Sequence, residues 1–574
     1  MGGEERASEE MAVEINRRAA LAILGLGAAA PAFAQTPTRY AGVVAFKHGV
    51  ASGDPLADRV ILWTRITPAE ATTGEIAYRW RITPTGKPNV FRRVKTLSGE
   101  GVTSAARDFT VKVDVGGLKP GTEYSYEFEA NGVVSRNGWV RTLPVGETAD
   151  VVLAVASCSL YPNGYFHAYS AISALSRVDA VLHLGDYIYE YGGPGSYGMD
   201  SKVAWHRAHE PNHELVTLAD YRARHAQYKS DVQLQAAHAR AAWIVVWDDH
   251  ETANNSFMSG AQNHTPIDEG PWNERKAAAI KAYFEWMPIR EPEGGGFAIN
   301  RTFHFGDVMS LMMLETRLTA RDRQLSYERD LNGMNGKPDL PAFRKTLADP
   351  YRRMMGEAQE AWLASELKAS VASGRTWQVL GNEVVMARLT IPSPRKEMGA
   401  AAYARALAAS PDAARKRVAR LEEFGRLNLP YGLDMWDGYP TDRERVYAGI
   451  KAAGARAIVL SGDSHAFWVN ELFDDKGARA AVEFGTTGIT SPGGGDALKA
   501  FPIGDLFASA NREVLFSDQA AKGFLLLTLT PTEARADLMA VSNITEPTYE
   551  TRVVKTYRVT PEAGGVSAPV EGQA

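Results

Sequence analysis

Residues 180–189 read Ala180-Val181-Leu182-His183-Leu184-Gly185-Asp186-Tyr187-Ile188-Tyr189. A short, mostly apolar run has the length of a buried strand, and Gly-Asp then delivers a carboxylate where the chain turns. The same grammar recurs in three other places. Val151-Val152-Leu153-Ala154-Val155-Ala156 runs into Ser157-Cys158-Ser159, and Ile244-Val245-Val246-Trp247 into Asp248-Asp249-His250-Glu251. Ala457-Ile458-Val459-Leu460-Ser461 runs into Gly462-Asp463-Ser464-His465. An α/β fold builds its sites at the C-terminal ends of its strands, and all four ends carry metal-ligating side chains. The pattern points to metal-assisted hydrolysis, with a phosphate ester as the leading substrate class.

Outward from these motifs, strand-like and helical stretches alternate between residues 150 and 560, which predicts sheet layers with helices outside, an α/β (α+β) class. Strands are expected at 151–156, 180–184, 243–247, 308–314, 377–380, 457–460 and 481–484. Helices are expected at 164–176, 218–242, 275–286, 356–372 and 412–424. The long stretches 190–240, 254–300 and 318–375 are insertions able to wall a pocket. Antiparallel strands at 523–530, 535–541 and 551–559 close a sheet, and the Gly/Pro/Ala-rich residues 561–574 read as a disordered tail.

Residues 41–143 read as an all-β domain. The run Leu118-Lys119-Pro120-Gly121-Thr122-Glu123-Tyr124-Ser125-Tyr126-Glu127-Phe128 is a Pro-Gly turn followed by an alternating aromatic strand. Tyr124 is placed to fold back on that turn, as in the tyrosine corner of a fibronectin type III sandwich. The Trp and Tyr residues of this domain read as core, and it carries no obvious chemistry. Residues 142–150 read as a linker.

The chain has 574 residues, enough for two or more domains. A net charge of −5 gives no surface of the kind a nucleic-acid groove needs. Asn16-Arg17-Arg18, an apolar run over 19–30 and Ala32-Phe33-Ala34 before Gln35 read as a twin-arginine export signal over residues 1–35. The run is Ala/Gly-rich and shorter than the ~20 residues of a membrane span, which argues against an anchor. The acidic stretch ahead of Met11 leaves Met1 and Met11 both open as the start. A periplasmic or secreted protein, exported through the twin-arginine translocase and with no span after signal removal, is expected.

The single cysteine, Cys158, excludes an intramolecular disulfide. A free thiol is a liability outside the cell. A buried structural cysteine is the bland alternative, but Cys158 sits at a strand end beside the other ligand motifs and is read as a metal ligand. Asp186 can bridge two metals, and a Tyr189 phenolate favours a hard trivalent ion such as Fe(III). Asp248 and Asp249 repel each other unless a cation offsets them; an N-cap explains one aspartate but not two. His250 can donate to a phosphate oxygen or leaving group. Asn254 and Asn255 are ligands or loop formers. Asp463 and His465 flank one residue and can point into one pocket.

The order Gly-Asp-x-x-Tyr, Asp-His-Glu, Gly-Asp-x-His resembles the calcineurin-like metallophosphoesterases, and its tyrosine is similar to that of the purple acid phosphatases. With Val50-Ala51-Ser52-Gly53-Asp54-Pro55, Leu62-Trp63-Thr64-Arg65, the twin-arginine signal and one cysteine, it most resembles the PhoD family of alkaline phosphatases. The resemblance runs to about residue 560. It implies a metallophosphoesterase four-layer αββα sandwich over 150–560, preceded by the fibronectin III-like domain, and a centre of Fe(III) with Ca²⁺. The departures from the wider superfamily agree with that. Cys158 replaces an aspartate, Asp249 an asparagine and Asp463 a histidine, while Asn382 in Val379-Leu380-Gly381-Asn382 stands where a histidine is usual. Oxygen-rich sets favour hard ions.

The resemblance implies Cys158, Asp186, Tyr189 and His465 on iron, Asp186 bridging to calcium, Asp249 and Asn382 completing the calcium site, and Asp463 on either metal. A metal-bound hydroxide or oxide would then attack phosphorus. Arg317 is placed to pair with phosphate, or alternatively to form a surface salt bridge, and His250 to assist the leaving group. The expected activity is hydrolysis of phosphomonoesters. The alternatives are phosphodiesterase or phospholipase D-type action on the same core, and a surface binding protein with structural metal. Structural sites use closed Cys/His shells, unlike this set.

Overall fold

The structure is a computed structural model. It describes residues 38–85, 95–193, 195–333 and 337–573; the expected export signal lies outside the described residues. Among those residues, no helix is long and apolar enough to cross a membrane.

Val151–Ala156, Ala180–Leu184 and Ala242–Val246 pair in parallel. The latter two are buried at every residue, which is why they read as unbroken apolar runs rather than alternating ones. Lys522–Leu529 pairs antiparallel with the first of them and is followed outward by Ala534–Val541, Thr551–Val559 and Val570–Gly572. On the opposite edge Val50–Gly53 joins Ala242–Val246 in parallel, followed by Arg59–Arg65 and Thr110–Gly116. Together they form a ten-stranded sheet. A seven-stranded sheet runs in the order Arg301–Phe305, Met309–Met313, Trp377–Gly381, Ala457–Ser461, Arg479–Gly485, Phe467–Phe473, Val514–Asp518.

The two sheets pack face to face. Leu153, Leu182, Ile244 and Leu525 share one buried cluster with Leu311, Val379, Ile458 and Val482. The alternate residues Met312, Leu380 and Val459 turn to a second cluster with Leu363 and Leu367 of helix Glu357–Ala372 and Val446 and Ile450 of helix Pro440–Ala453. The period-two split of side chains between two faces therefore gives the second sheet one face against the first sheet and one against helices.

Residues 41–143 keep a core of their own, with Val60, Leu62, Tyr124, Tyr126 and Phe128 in one buried cluster. Ile76–Pro84, Leu97–Thr103, Glu123–Ala130, Val133–Val134 and Gly138–Arg141 form their own sheet, whereas Val50–Gly53, Arg59–Arg65 and Thr110–Gly116 extend the ten-stranded one. Gly53 permits this, because a Cβ there would meet the Pro288 carbonyl at 2.1 Å. Residues 39–574 accordingly form one compact unit. Tyr124 does fold back on its turn, its hydroxyl accepting from the Lys119 N–H at 2.8 Å.

The helix expected over 218–242 is two, Leu218–Lys229 and Val232–Arg240. Asp231 caps the second by accepting from Gln233 N at 2.9 Å and Leu234 N at 3.1 Å. The tail expected to be disordered forms strands. Pro561–Glu562 pairs with Gly565–Val566, Val570–Gly572 pairs with Thr551–Val559, and Val566 is buried as an apolar anchor.

Candidate metal centre

Three of the four motif-bearing strand ends turn through left-handed backbone at a ligand-type residue: Cys158 at φ 60°, Asp186 at 55°, and Asp463 and His465 at 59° and 57°. Each such non-glycine residue costs on the order of 1 kcal/mol, so the surroundings must impose it. Gly185, at φ 96°, lets two strand ends touch; a Cβ there would lie 2.3 Å from the Asp248 Cβ. Glu251 ties the same ends together. Its carboxylate accepts from Asp186 N at 3.0 Å, Asp248 N at 2.7 Å and Tyr187 N at 2.5 Å. The second sheet's end is stitched to the first by a bridge between Ser157 and Gly488 and by Ser491 N donating to the Cys158 carbonyl at 3.3 Å.

These turns gather the ligand-type side chains into linked groups. Ligand atoms of Cys158, Asp186 and His465 lie within 4.8 Å of one another, as do those of Asp186, Asp249 and His250, and those of Asp186, Asp248, Asp249 and Asp463. Asp186 is common to all three groups. The Tyr189 hydroxyl donates to Asp186 Oδ2 at 3.0 Å, lies 2.6 Å from Ser491 Oγ and 3.4 Å from His465 Nε2. His465 Nδ1 donates to the Pro492 carbonyl at 2.9 Å, which leaves Nε2 toward Tyr189.

Burial and mutual repulsion dominate the electrostatics. Burial pushes the Cys158 thiol and the Tyr189 phenol well up, with Asp186 adding to both. Burial also raises Asp186 well above the carboxylate range, Asp248 to about 8 and Asp463 to about 7. Burial pushes Asp249 upward too, but His250, Arg317 and the Asn255 N–H outweigh it and hold it low. Asp186 Oδ1, Asp248 Oδ2, Asp249 Oδ1 and Arg317 Nη2 are buried without a hydrogen-bond partner. Three orphaned carboxylate oxygens in one pocket, beside a thiol, a phenol and an imidazole, fit cations.

Arg317 is fully buried, which excludes the surface salt bridge. Its Nε and Nη1 donate to Asp248 at 2.5 Å and Asp434 at 2.7 Å. Only Nη2 is left, 3.8 Å from Asp249 and 3.9 Å from Asp463, so a two-pronged grip on phosphate is replaced by a single donor. His250 Nδ1 pairs with Glu190 at 2.7 Å, and its ring lies between Tyr189 and Tyr191 at 4.3 and 5.2 Å. Burial works against the His250 charge, but Asp249, Glu190 and Asp186 outweigh it and raise its pKa well above the ordinary value.

Asn382 is held by its neighbours: its Nδ2 donates to the Val384 carbonyl and its Oδ1 accepts from Trp436 Nε1 at 3.0 Å, which leaves that oxygen a second lone pair. Asn255 caps Asp249 through its backbone N–H, and the Asn254 N–H donates to Glu190; both serve the loop. Glu190, Asp434 and Ser491 were not singled out from the sequence, and a lone acid or serine in a loop carries no spacing to find it by.

Residues 153–538 match the family described as PhoD-like phosphatase, and residues 30–144 match the PhoD-like phosphatase N-terminal domain. The chain is 34% identical over 535 residues to alkaline phosphatase D of Bacillus subtilis, covering 90% of this chain and 80% of that protein. A solved structure of PhoD superposes with a TM-score of 0.74 at 29% identity, covering 93% of this chain and 94% of that one.

Proposed function

This chain belongs to the PhoD-like phosphatase family, and we propose that it hydrolyses phosphate esters at a two-cation centre. The three orphaned oxygens of Asp186, Asp248 and Asp249 carry this reading. Cys158, Asp186, Tyr189 and His465 offer sulfur, oxygen and nitrogen donors together, a set suited to Fe(III). Asp248, Asp249 and Asp463 offer oxygen alone, which suits Ca²⁺. Asp186, common to the groups, would bridge. Bound there, the cations supply Lewis-acid charge to the phosphoryl oxygens and a nucleophile near neutral pH.

The chain's own residues do the rest. Arg317 fixes Asp248 and Asp434 and leaves its Nη2 amino group unpaired beside Asp249 and Asp463. Glu190 orients His250 and, after Asp249, favours its protonated form, and His250 stabilises the transferring phosphoryl group or protonates the leaving oxygen. The same reading takes residues 1–35 as a twin-arginine signal, the protein as periplasmic or secreted, and residues 41–143 as fibronectin III-like. The two packed sheets with outer helices are read as a four-layer αββα sandwich.

The test compares p-nitrophenyl phosphate with its bis ester, before and after chelation. Monoester turnover should vanish on chelation and return with iron and calcium together. Turnover that survives removal of every cation overturns the centre. A faster bis ester reassigns the enzyme to phosphodiester or phospholipase D-type substrates.

A further inference from the structure

Pro492, whose carbonyl orients His465, also lines a groove of 490 Å³, bounded by helix Asp412–Arg426 and the segment 492–507. Leu421 and Phe424 face it from the helix, and Leu498 and Phe507 from the opposite wall. Tyr327 and Tyr431 line both this groove and a 420 Å³ pocket containing Asp434 and Asp463, so the two cavities adjoin. The Tyr431 ring packs edge-on against Phe507 at 4.6 Å, and burial raises the pKa of its hydroxyl, with Asp463 adding to it. Arg420 also lines the groove but is held by Glu328 and lies over Phe424 at 5.2 Å, presenting its stem rather than a free charge. None of the residues assigned to phosphoryl chemistry lines this groove. Arg417, which is exposed, is the other charged residue lining it, and the remaining walls are largely apolar and open beside the metal centre.

We propose that this groove is the leaving-group subsite, and that it accepts the apolar alkyl or aryl part of a phosphate ester whose phosphorus lies at the metals. The inference rests on the metal centre proposed above. Apolar burial there is shared by ground and transition state, so it appears mainly in KM. A buried methylene is equivalent to about fourfold in affinity, and straight-chain alcohols beyond ethanol have nearly equal basicity, so chain length varies burial without varying the chemistry.

The experiment measures kcat and KM for ethyl, butyl, hexyl and octyl phosphate below their micelle-forming concentrations. It uses the wild type, Ala497→Phe, which fills the groove from a half-buried position, and Leu421→Gln, which makes one wall polar. KM should fall about fourfold per methylene once the chain is long enough to reach the groove, at least tenfold in all, with kcat nearly constant. Both variants should flatten that trend and leave ethyl phosphate unchanged. A flat series in an active wild type overturns the subsite and leaves the phosphatase reading intact. A steep series that survives both substitutions also overturns it. No turnover of any ester sinks the underlying metal-centre reading instead.

Discussion

Two sets of buried carboxylates lie side by side in this protein and are satisfied in opposite ways. Glu251 accepts from three backbone N–H groups. Glu315 accepts from Trp247 Nε1, from the N–H groups of Arg317, Leu318 and Thr319, and from the Thr319 hydroxyl. Asp186, Asp248 and Asp249 each keep one buried oxygen with no partner. A saturated buried carboxylate fixes the backbone around it; an unsaturated one is costly until something of opposite charge arrives. The difference separates the residues that hold the strand ends from those that hold the chemistry.

The sharpest way to break this division is at the shared ligand. Asp186→Asn should lower kcat/KM for p-nitrophenyl phosphate by at least about a thousandfold, the scale of losing one preorganised electrostatic partner, with circular dichroism unchanged. Glu315→Gln should do the reverse, costing about 3 kcal/mol of unfolding free energy in urea while activity stays within about tenfold. If that variant is inactive yet fully stable, the division is wrong.

Glu190→Gln probes the boundary, since Glu190 serves both His250 and the Asn254 N–H. It should lower kcat about 10- to 100-fold, as orienting partners do, with KM little changed.

Lys229 is the cationic counterpart, buried with His238 Nε2 at 3.1 Å, the rings of Trp63 and Tyr187 over its ammonium, and no carboxylate paired with it among the described residues. Burial lowers its pKa well below the ordinary value. The unfolded chain therefore binds more protons than the folded one, and the resulting penalty falls away as pH rises to the lysine's unfolded pKa of about 10.4. Lys229→Met should stabilise the protein by about 1–2 kcal/mol at pH 7, a gain that fades toward pH 10.5. An equal gain at both pH values would contradict this account.

Strands and ligand motifs were legible for one reason: an apolar run that stops at Gly-Asp records both burial and a turn. Val151–Ala156, Ala180–Leu184 and Thr551–Val559 fall at the bounds read from the sequence. What was not legible depends on contacts distant in the chain. Asp434 meets Arg317 across 117 residues, and Ser491 meets Tyr189 across 302. Arg317 looked like a phosphate clamp because its burial between two aspartates has no sequence signature. Trp436, which donates to the Asn382 oxygen, lies 54 residues away from it. That Val50–Gly53 joins the main sheet was not legible either, because its small residues hide a strand.

The central claim is that the unpaired oxygens mark a cation centre, and elemental analysis of the folded protein beside its Asp186→Asn variant tests it most directly. The account predicts bound iron together with calcium in the wild type and loss of both from the variant. An active wild-type protein that carries no cation, or zinc in place of iron and calcium, would contradict it.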